Sequence, residues 1–238
     1  MTNCNFIHRL EKGKYKMFLK IGHRGARAYE TENTLESYKK AIELGVNAVE
    51  LDVRQSGDEK LIISHDDNLK KVFGKDLRVN MATLEELKHL TAGRVPTLDE
   101  ALLFINKKVD KILVELKETG YEKKVLELIM NKSLGNGVII ISFHEESLAR
   151  LRNLDSEIET GLIYSKFRNP VQAAIRLNAQ YLVPLYRFVH TRDIEKAHVN
   201  NLKVIVWTIN TKEEAREYIA KGVDGIATDK PDIFKGIA

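Results

Sequence analysis

Residues 204–228 read VIVWTINTKEEAREYIAKGVDGIAT. The stretch opens on a short apolar run, 204–207, and closes on a second, 225–228. Each has the length of a buried strand. Between them, 212–220 carries apolar residues at helical spacing. Thr211 stands before it as a helix-capping residue type, and Gly222 follows it where a left-handed residue ends a helix. A strand, a helix and a strand in so short a span make the two strands parallel, because a crossover helix is what parallel neighbours require.

The same unit recurs outward from here. Apolar runs at 17–22, 48–53, 111–116, 138–142, 160–164 and 181–184 read as further strands, and 34–44, 121–132, 145–153, 171–177 and 191–199 have helical period. From Ser142 onward the strand ends fall roughly 20 to 23 residues apart. Eight strand–helix units predict an α/β fold closed into a (β/α)8 TIM barrel, which at this length is one domain, 17–238.

One interval breaks the rhythm. From Asp52 to Leu116 the chain is about forty residues longer than a unit needs. Residues 54–60 are too few for a parallel crossover, so the run 61–64 must pair with the second strand as an antiparallel hairpin, turned at Ser56-Gly57-Asp58. A short helix is expected at 84–90 and the barrel helix at 98–106, after Pro96-Thr97. That leaves 54–95 as a small insertion after strand two.

Bulk properties narrow the function classes. The chain has 238 residues, 43% hydrophobic and 30% charged, with a net charge of +4, too weak to argue for nucleic acid. A single cysteine, Cys4, rules out an internal disulfide framework. No apolar run approaches the length of a membrane-spanning helix, so stable membrane insertion is not expected. Residues 1–16 lack the apolar core of a signal peptide and read as an N-terminal extension, which makes the cytoplasm the expected location. The sequence carries no signature of a particular oligomeric state.

In such a barrel the active site lies at the C-terminal strand ends. The polar residues there include His23 and Arg24, Glu50 and Asp52, and Glu115 and Lys117, with Trp207 after strand seven. Glu50 and Asp52 are two apart on a strand and so share a face. Three carboxylates at one mouth repel unless positive charge lies between them. Lys117 supplies part of it, and one hard divalent cation, Mg2+ or Ca2+, is the expected occupant. Arg24 offers a planar fork for phosphate oxygens. His23 sits beside it, and His65 reaches the same rim through the hairpin. Together they make a candidate acid/base pair.

The blocks His23-Arg24-Gly25, Glu32-Asn33-Thr34, Glu50-Leu51-Asp52-Val53 and His65-Asp66 occur in that order. They are followed by Pro96-Thr97-Leu98-Asp99-Glu100, Glu115-Leu116-Lys117, Trp207-Thr208-Ile209-Asn210 and 225–229. This ordered set, spread over 21–232, resembles the glycerophosphodiester phosphodiesterase family. The resemblance implies a barrel with an insertion after strand two. It implies cleavage of a small-molecule glycerophosphodiester to sn-glycerol 3-phosphate and an alcohol. Residue by residue, it implies His23 and His65 as the acid/base pair, Glu50, Asp52 and Glu115 as metal ligands, and Arg24 and Lys117 on the phosphate. Thr31 stands where that family usually has proline, and 67–80 lacks its Arg-Thr-Thr run.

Rival readings have sequence requirements of their own. A barrel isomerase favours a glycine-rich phosphate cup after strands seven and eight. Trp207-Thr208-Ile209-Asn210 looks instead like a wall for a small polyol. An enzyme acting on lipids needs an apolar rim, and the insertion offers Leu69, Val72 and Phe73 for one.

Overall fold

A computed structural model describes residues 17–237; the expected extension at 1–16 lies outside the described residues. The strands are β1 (Leu19–Gly22), β2 (Ala48–Gln55), β3 (Leu61–Ile63), β4 (Lys111–Leu116), β5 (Val138–Ser142), β6 (Glu159–Tyr164), β7 (Tyr181–Pro184), β8 (Lys203–Val206) and β9 (Gly225–Thr228). All but β3 run parallel in the order β1-β9-β8-β7-β6-β5-β4-β2, and the pairing of β1 with β2 closes the ring. The fold is the (β/α)8 barrel that the strand–helix repeat predicts.

The helices lie outside the ring: α1 (Leu35–Glu43), α4 (Leu98–Ile105), α5 (Glu122–Asn131), α6 (Glu145–Leu154), α7 (Pro170–Arg176), α8 (Thr191–Val199) and α9 (Lys212–Ala220). Their starts follow from the sequence. Thr34, Thr97 and Thr211 each accept a hydrogen bond from the backbone N–H three residues on, which satisfies a donor the helix leaves unpaired.

Alternation along the strands makes two apolar layers. Leu19, Ile21, Ala48, Leu113, Ile139, Ile141 and Ile205 fill the barrel interior, while Val49, Leu51, Val114, Ile140 and Val206 face the helices. The inward parity that buries Ala48 and Leu113 carries on to Glu50, Asp52 and Glu115 at the strand tops.

The hairpin forms with Val53 opposite Ile63 and Gln55 opposite Leu61. Pairing lengthens β2 to Gln55, two residues beyond the strand that apolar character alone marks out. Between β3 and α4 lie α2 (Lys70–Phe73) and α3 (Leu84–Leu90). Ile62, Leu69, Val79, Leu87 and Val95 form a small apolar cluster of their own there, with Phe73 packed on it. Leu69 is therefore core and Phe73 half-buried, so the small apolar patch that the insertion offers in sequence is turned largely inward.

Candidate active site

The chain leaves β1 through a bend that fixes His23 and Arg24. Arg24 and Gly25 both have positive φ, 53° and 84°. A Cβ on Gly25 would lie 2.4 Å from Ser37 Oγ, so only glycine lets the bend pack on α1. In this conformation the Arg24 backbone N–H donates to Glu50 Oε2 at 2.8 Å, and its guanidinium donates to Glu32 Oε1 at 2.8 Å. The guanidinium Nε also lies 3.2 Å from Asp52 Oδ2. Asn33, another residue with positive φ, donates to Asp52 Oδ2 at 2.7 Å and accepts from Tyr38. Glu32 and Asn33 thus hold site residues, and the capping of α1 falls to Thr34.

Parallel register sets Asp52 beside Glu115. Glu50, Asp52 and Glu115 are all buried, and each offers a carboxylate oxygen within 4.8 Å of the others. At an effective dielectric near 20, each such pair of full charges repels by at least about 3 kcal/mol. Besides Arg24, Lys117 is the counter-ion of the trio: its Nζ lies 2.5 Å from Glu115 Oε1 and 3.4 Å from Asp52 Oδ1.

The titration of the trio follows this geometry. Burial, then the charges of Asp52 and Glu115, push the Glu50 carboxyl well above the carboxylate range. Burial and the Asp52 charge push Glu115 up to about 7 against the pull of Lys117. Asp52 is buried too, yet Lys117, Arg24, His65 and the Asn33 amide outweigh the burial and hold it low.

Whether a cation fits can be read from the acceptors. Among the described residues, Glu50 Oε1 and Asp52 Oδ1 are buried without a hydrogen-bond donor. Two bare acceptors beside a third carboxylate, with oxygen donors alone, are the surroundings a hard divalent ion takes. The residues present fit such an ion.

Both histidines are gripped by one ring nitrogen. His23 Nδ1 lies 2.7 Å from Asp229 Oδ1, and Asn210 donates to the other Asp229 oxygen at 3.0 Å. His65 Nδ1 lies 2.7 Å from Asp66 Oδ1. A carboxylate there favours the tautomer that leaves Nε2 for chemistry. Burial lowers both histidines' pKa values, outweighing the carboxylates that raise them. The His65 main chain is held as well. Its carbonyl accepts from Arg54 Nε and Nη2 at 3.0 and 2.8 Å, and the same guanidinium is paired with Glu118.

The eight residues singled out in sequence divide in two. Arg24, Glu50, Asp52, Glu115 and Lys117 are joined by direct contacts or register, His23 precedes Arg24 in the same bend, and His65 lies close enough to feel Asp52, Arg24 and Lys117. Trp207 stands on the other side of the mouth, its indole N–H donating to the Val183 carbonyl and its ring edge-on to Phe143 at 5.8 Å. His144, also after a strand, turns Nε2 to the Lys117 carbonyl at 3.1 Å.

Sequence reasoning placed Asp66 at the rim and Asp229 in a block of the resemblance without giving either a role, and it did not single out Arg54 or Phe143. Asp229 and Phe143 were within reach of the parity rule, each being the next inward position past its strand. Arg54 was not, because its contacts exist only once the hairpin has folded.

A model of the glycerophosphoryl diester phosphodiesterase family matches residues 23–233. A glycerophosphodiester phosphodiesterase of Caldanaerobacter subterraneus is 33% identical over 90% of this chain and 95% of its own. A solved glycerophosphodiester phosphodiesterase from Thermotoga maritima has a TM-score of 0.83 and 32% identity, covering 94% of this chain and all of its own. An Oleispira antarctica phosphodiesterase, solved in complex with the product sn-glycerol-3-phosphate, has a TM-score of 0.81 and 26% identity, covering 90% and 94%.

Proposed function

The chain belongs to the glycerophosphoryl diester phosphodiesterase family and is an enzyme of that kind. From that premise, we propose that it hydrolyses glycerophosphodiesters to sn-glycerol 3-phosphate and an alcohol, with His23 and His65 as acid and base. The observation that carries this reading is the pair of carboxylate-held histidines, each with one nitrogen left, around a buried carboxylate trio. The product bound to the Oleispira protein supports the assignment of the product.

In this reading Glu50, Asp52 and Glu115 hold a divalent cation, Mg2+ or Ca2+. When bound, such an ion supplies positive charge against the phosphoryl oxygens as the transition state forms. Arg24 and Lys117 hold the phosphate, and Glu32 and Asn33 fix Arg24 and Asp52 so that little rearrangement is needed as charge develops. One histidine takes the proton of the attacking hydroxyl, either water or the substrate's own glycerol 2-hydroxyl. A new P–O bond forms, the P–O bond to the alcohol breaks, and the other histidine gives its proton to the departing oxygen; where the 2-hydroxyl attacks, this step leaves a cyclic phosphate, which water then opens to sn-glycerol 3-phosphate with the two histidines exchanging roles. Trp207 walls the glycerol side.

The test is steady-state hydrolysis of glycerophosphocholine and glycerophosphoethanolamine. His23→Ala and His65→Ala should each lose on the order of 100- to 10,000-fold in kcat. Near wild-type turnover in either variant sinks the assignment of that histidine.

A further inference from the structure

The rim that follows β5, β6 and β7 takes no part in the chemistry above. A phenylalanine stands after each strand: Phe143 is 44% exposed, and Phe167 and Phe188 are each 41% exposed. Phe167 and Phe188 line one cleft, and Phe143 stands beside Trp207 at the mouth. Phe143 packs on Trp207, Phe167 lies edge-on to Tyr164 at 6.1 Å, and the Lys166 ammonium sits 5.2 Å over the Phe188 ring. Between the two loops a cleft of about 330 Å3 is floored by Val171 and Leu182. Lys166, Arg168 and Lys196 line it and are exposed, while Asp193 is the one acidic residue among its lining.

Single exposed apolar side chains are ordinary, but aromatics grouped with cations on one face are not. Exposed phenylalanine interleaved with lysine and arginine is what a surface needs to enter a headgroup layer, the rings going in and the cations staying at the phosphates. We propose that this rim docks on an anionic phospholipid bilayer, with Phe167 and Phe188 in the headgroup region and Lys166, Arg168 and Lys196 facing lipid phosphates. Because the rim borders the barrel mouth, docking turns the active site toward the lipid surface. A phosphodiester at headgroup level then lies in front of His23 and His65. That last consequence rests on the function proposed above; the docking does not.

The test is co-sedimentation of the full chain with sucrose-loaded vesicles, either pure phosphatidylcholine or an equal mixture with phosphatidylglycerol. The chain should pellet with the anionic vesicles at low salt, release in about 0.5 M NaCl as the charges are screened, and ignore phosphatidylcholine. Lys166→Glu with Arg168→Glu should weaken binding by at least about 20-fold, since each cation is worth roughly fivefold at an anionic surface. Phe167→Ser with Phe188→Ser should weaken it by about tenfold or more. In both variants hydrolysis of soluble glycerophosphocholine serves as the check on folding and should be unchanged. Failure to pellet with anionic vesicles overturns the proposal, and so does pelleting that both double variants retain in full. A chain that ignores vesicles but dimerises in a Phe167- and Phe188-dependent way assigns the rim to a second copy instead. A chain that docks but does not cleave glycerophosphodiesters keeps this proposal and removes the previous one.

Discussion

On β9, β1, β2 and β4 the inward side of the barrel reaches the mouth as Asp229, His23, Asp52, Glu115 and Lys117; on β5 to β8 it arrives as Ile141, Ile163, Val183 and Ile205, topped by Phe143 and Trp207. The strand geometry is the same in the two halves, and the demands on it differ. In the charged half nearly every group is specified by a partner: Arg24 by Glu32 and Asp52, His23 by Asp229, Asp229 by Asn210. Buried charge is costly unless so arranged. In the apolar half, shape is enough. The halves should therefore fail differently, the charged one in turnover and the other in substrate affinity.

The largest effect should come from denying the charged half the cation proposed for it. Chelation with EDTA should reduce hydrolysis by at least about a thousandfold, as expected when a metal supplies several kcal/mol of transition-state stabilisation. Restoration by Mg2+ or Ca2+ would identify the ion, and activity indifferent to chelation would refute the carboxylate site. The pH dependence of binding has a definite sign. Glu50 lies well above the carboxylate range and Glu115 at about 7, both through burial and neighbouring carboxylates, so a cation must displace protons. Affinity should rise from pH 6 to pH 8 by about tenfold or more, and the rise in Tm on adding the ion should grow with it. An affinity flat across that range, measured by calorimetry, would count against protonated ligands.

Next in size is Asp229→Asn. Its amide still occupies the space beside His23 Nδ1 but no longer favours the imidazolium or its tautomer. A loss on the order of 100-fold in kcat is expected, with KM nearly unchanged. Loss of KM alone would mean that Asp229 shapes the pocket and not the base.

The same contrast explains what the sequence could disclose. The barrel was legible because strand period and helix caps are local, and residues such as Thr97 and Thr211 act on their own neighbours. Glu50, Asp52 and Glu115 were legible because parity on a strand is also local. The grip on the histidines was less so: Asp229 lies 206 positions from His23, and only ring closure between β9 and β1 joins them. The insertion's few apolar residues, too small a patch in sequence to make a rim, serve a small core of their own, and the exposed aromatics stand on loops across the mouth, which no local period marks out.

Arg54→Met tests the seam between the hairpin and the barrel. The change keeps much of the apolar stem while removing both hydrogen bonds to the His65 carbonyl. His65 should be held less well, and kcat should fall by about tenfold, as when an orienting partner of a functional group is lost. Arg54→Lys should recover part of it, since one donor can still reach. A fall in thermal stability with kcat preserved would make Arg54 a structural clasp and nothing more.

The smallest effect should come from Phe143→Ala in the apolar half. The ring is partly exposed and stands at right angles to Trp207 with centroids 5.8 Å apart. Removing it forfeits one aromatic pair, worth about 0.5 to 1.5 kcal/mol, and loosens the wall against which the glycerol would rest. KM should rise by roughly three- to tenfold while kcat stays within about twofold. If kcat falls as steeply as in Asp229→Asn, the two halves do not divide binding from chemistry. The wall would then belong to the machinery that positions the reacting phosphate.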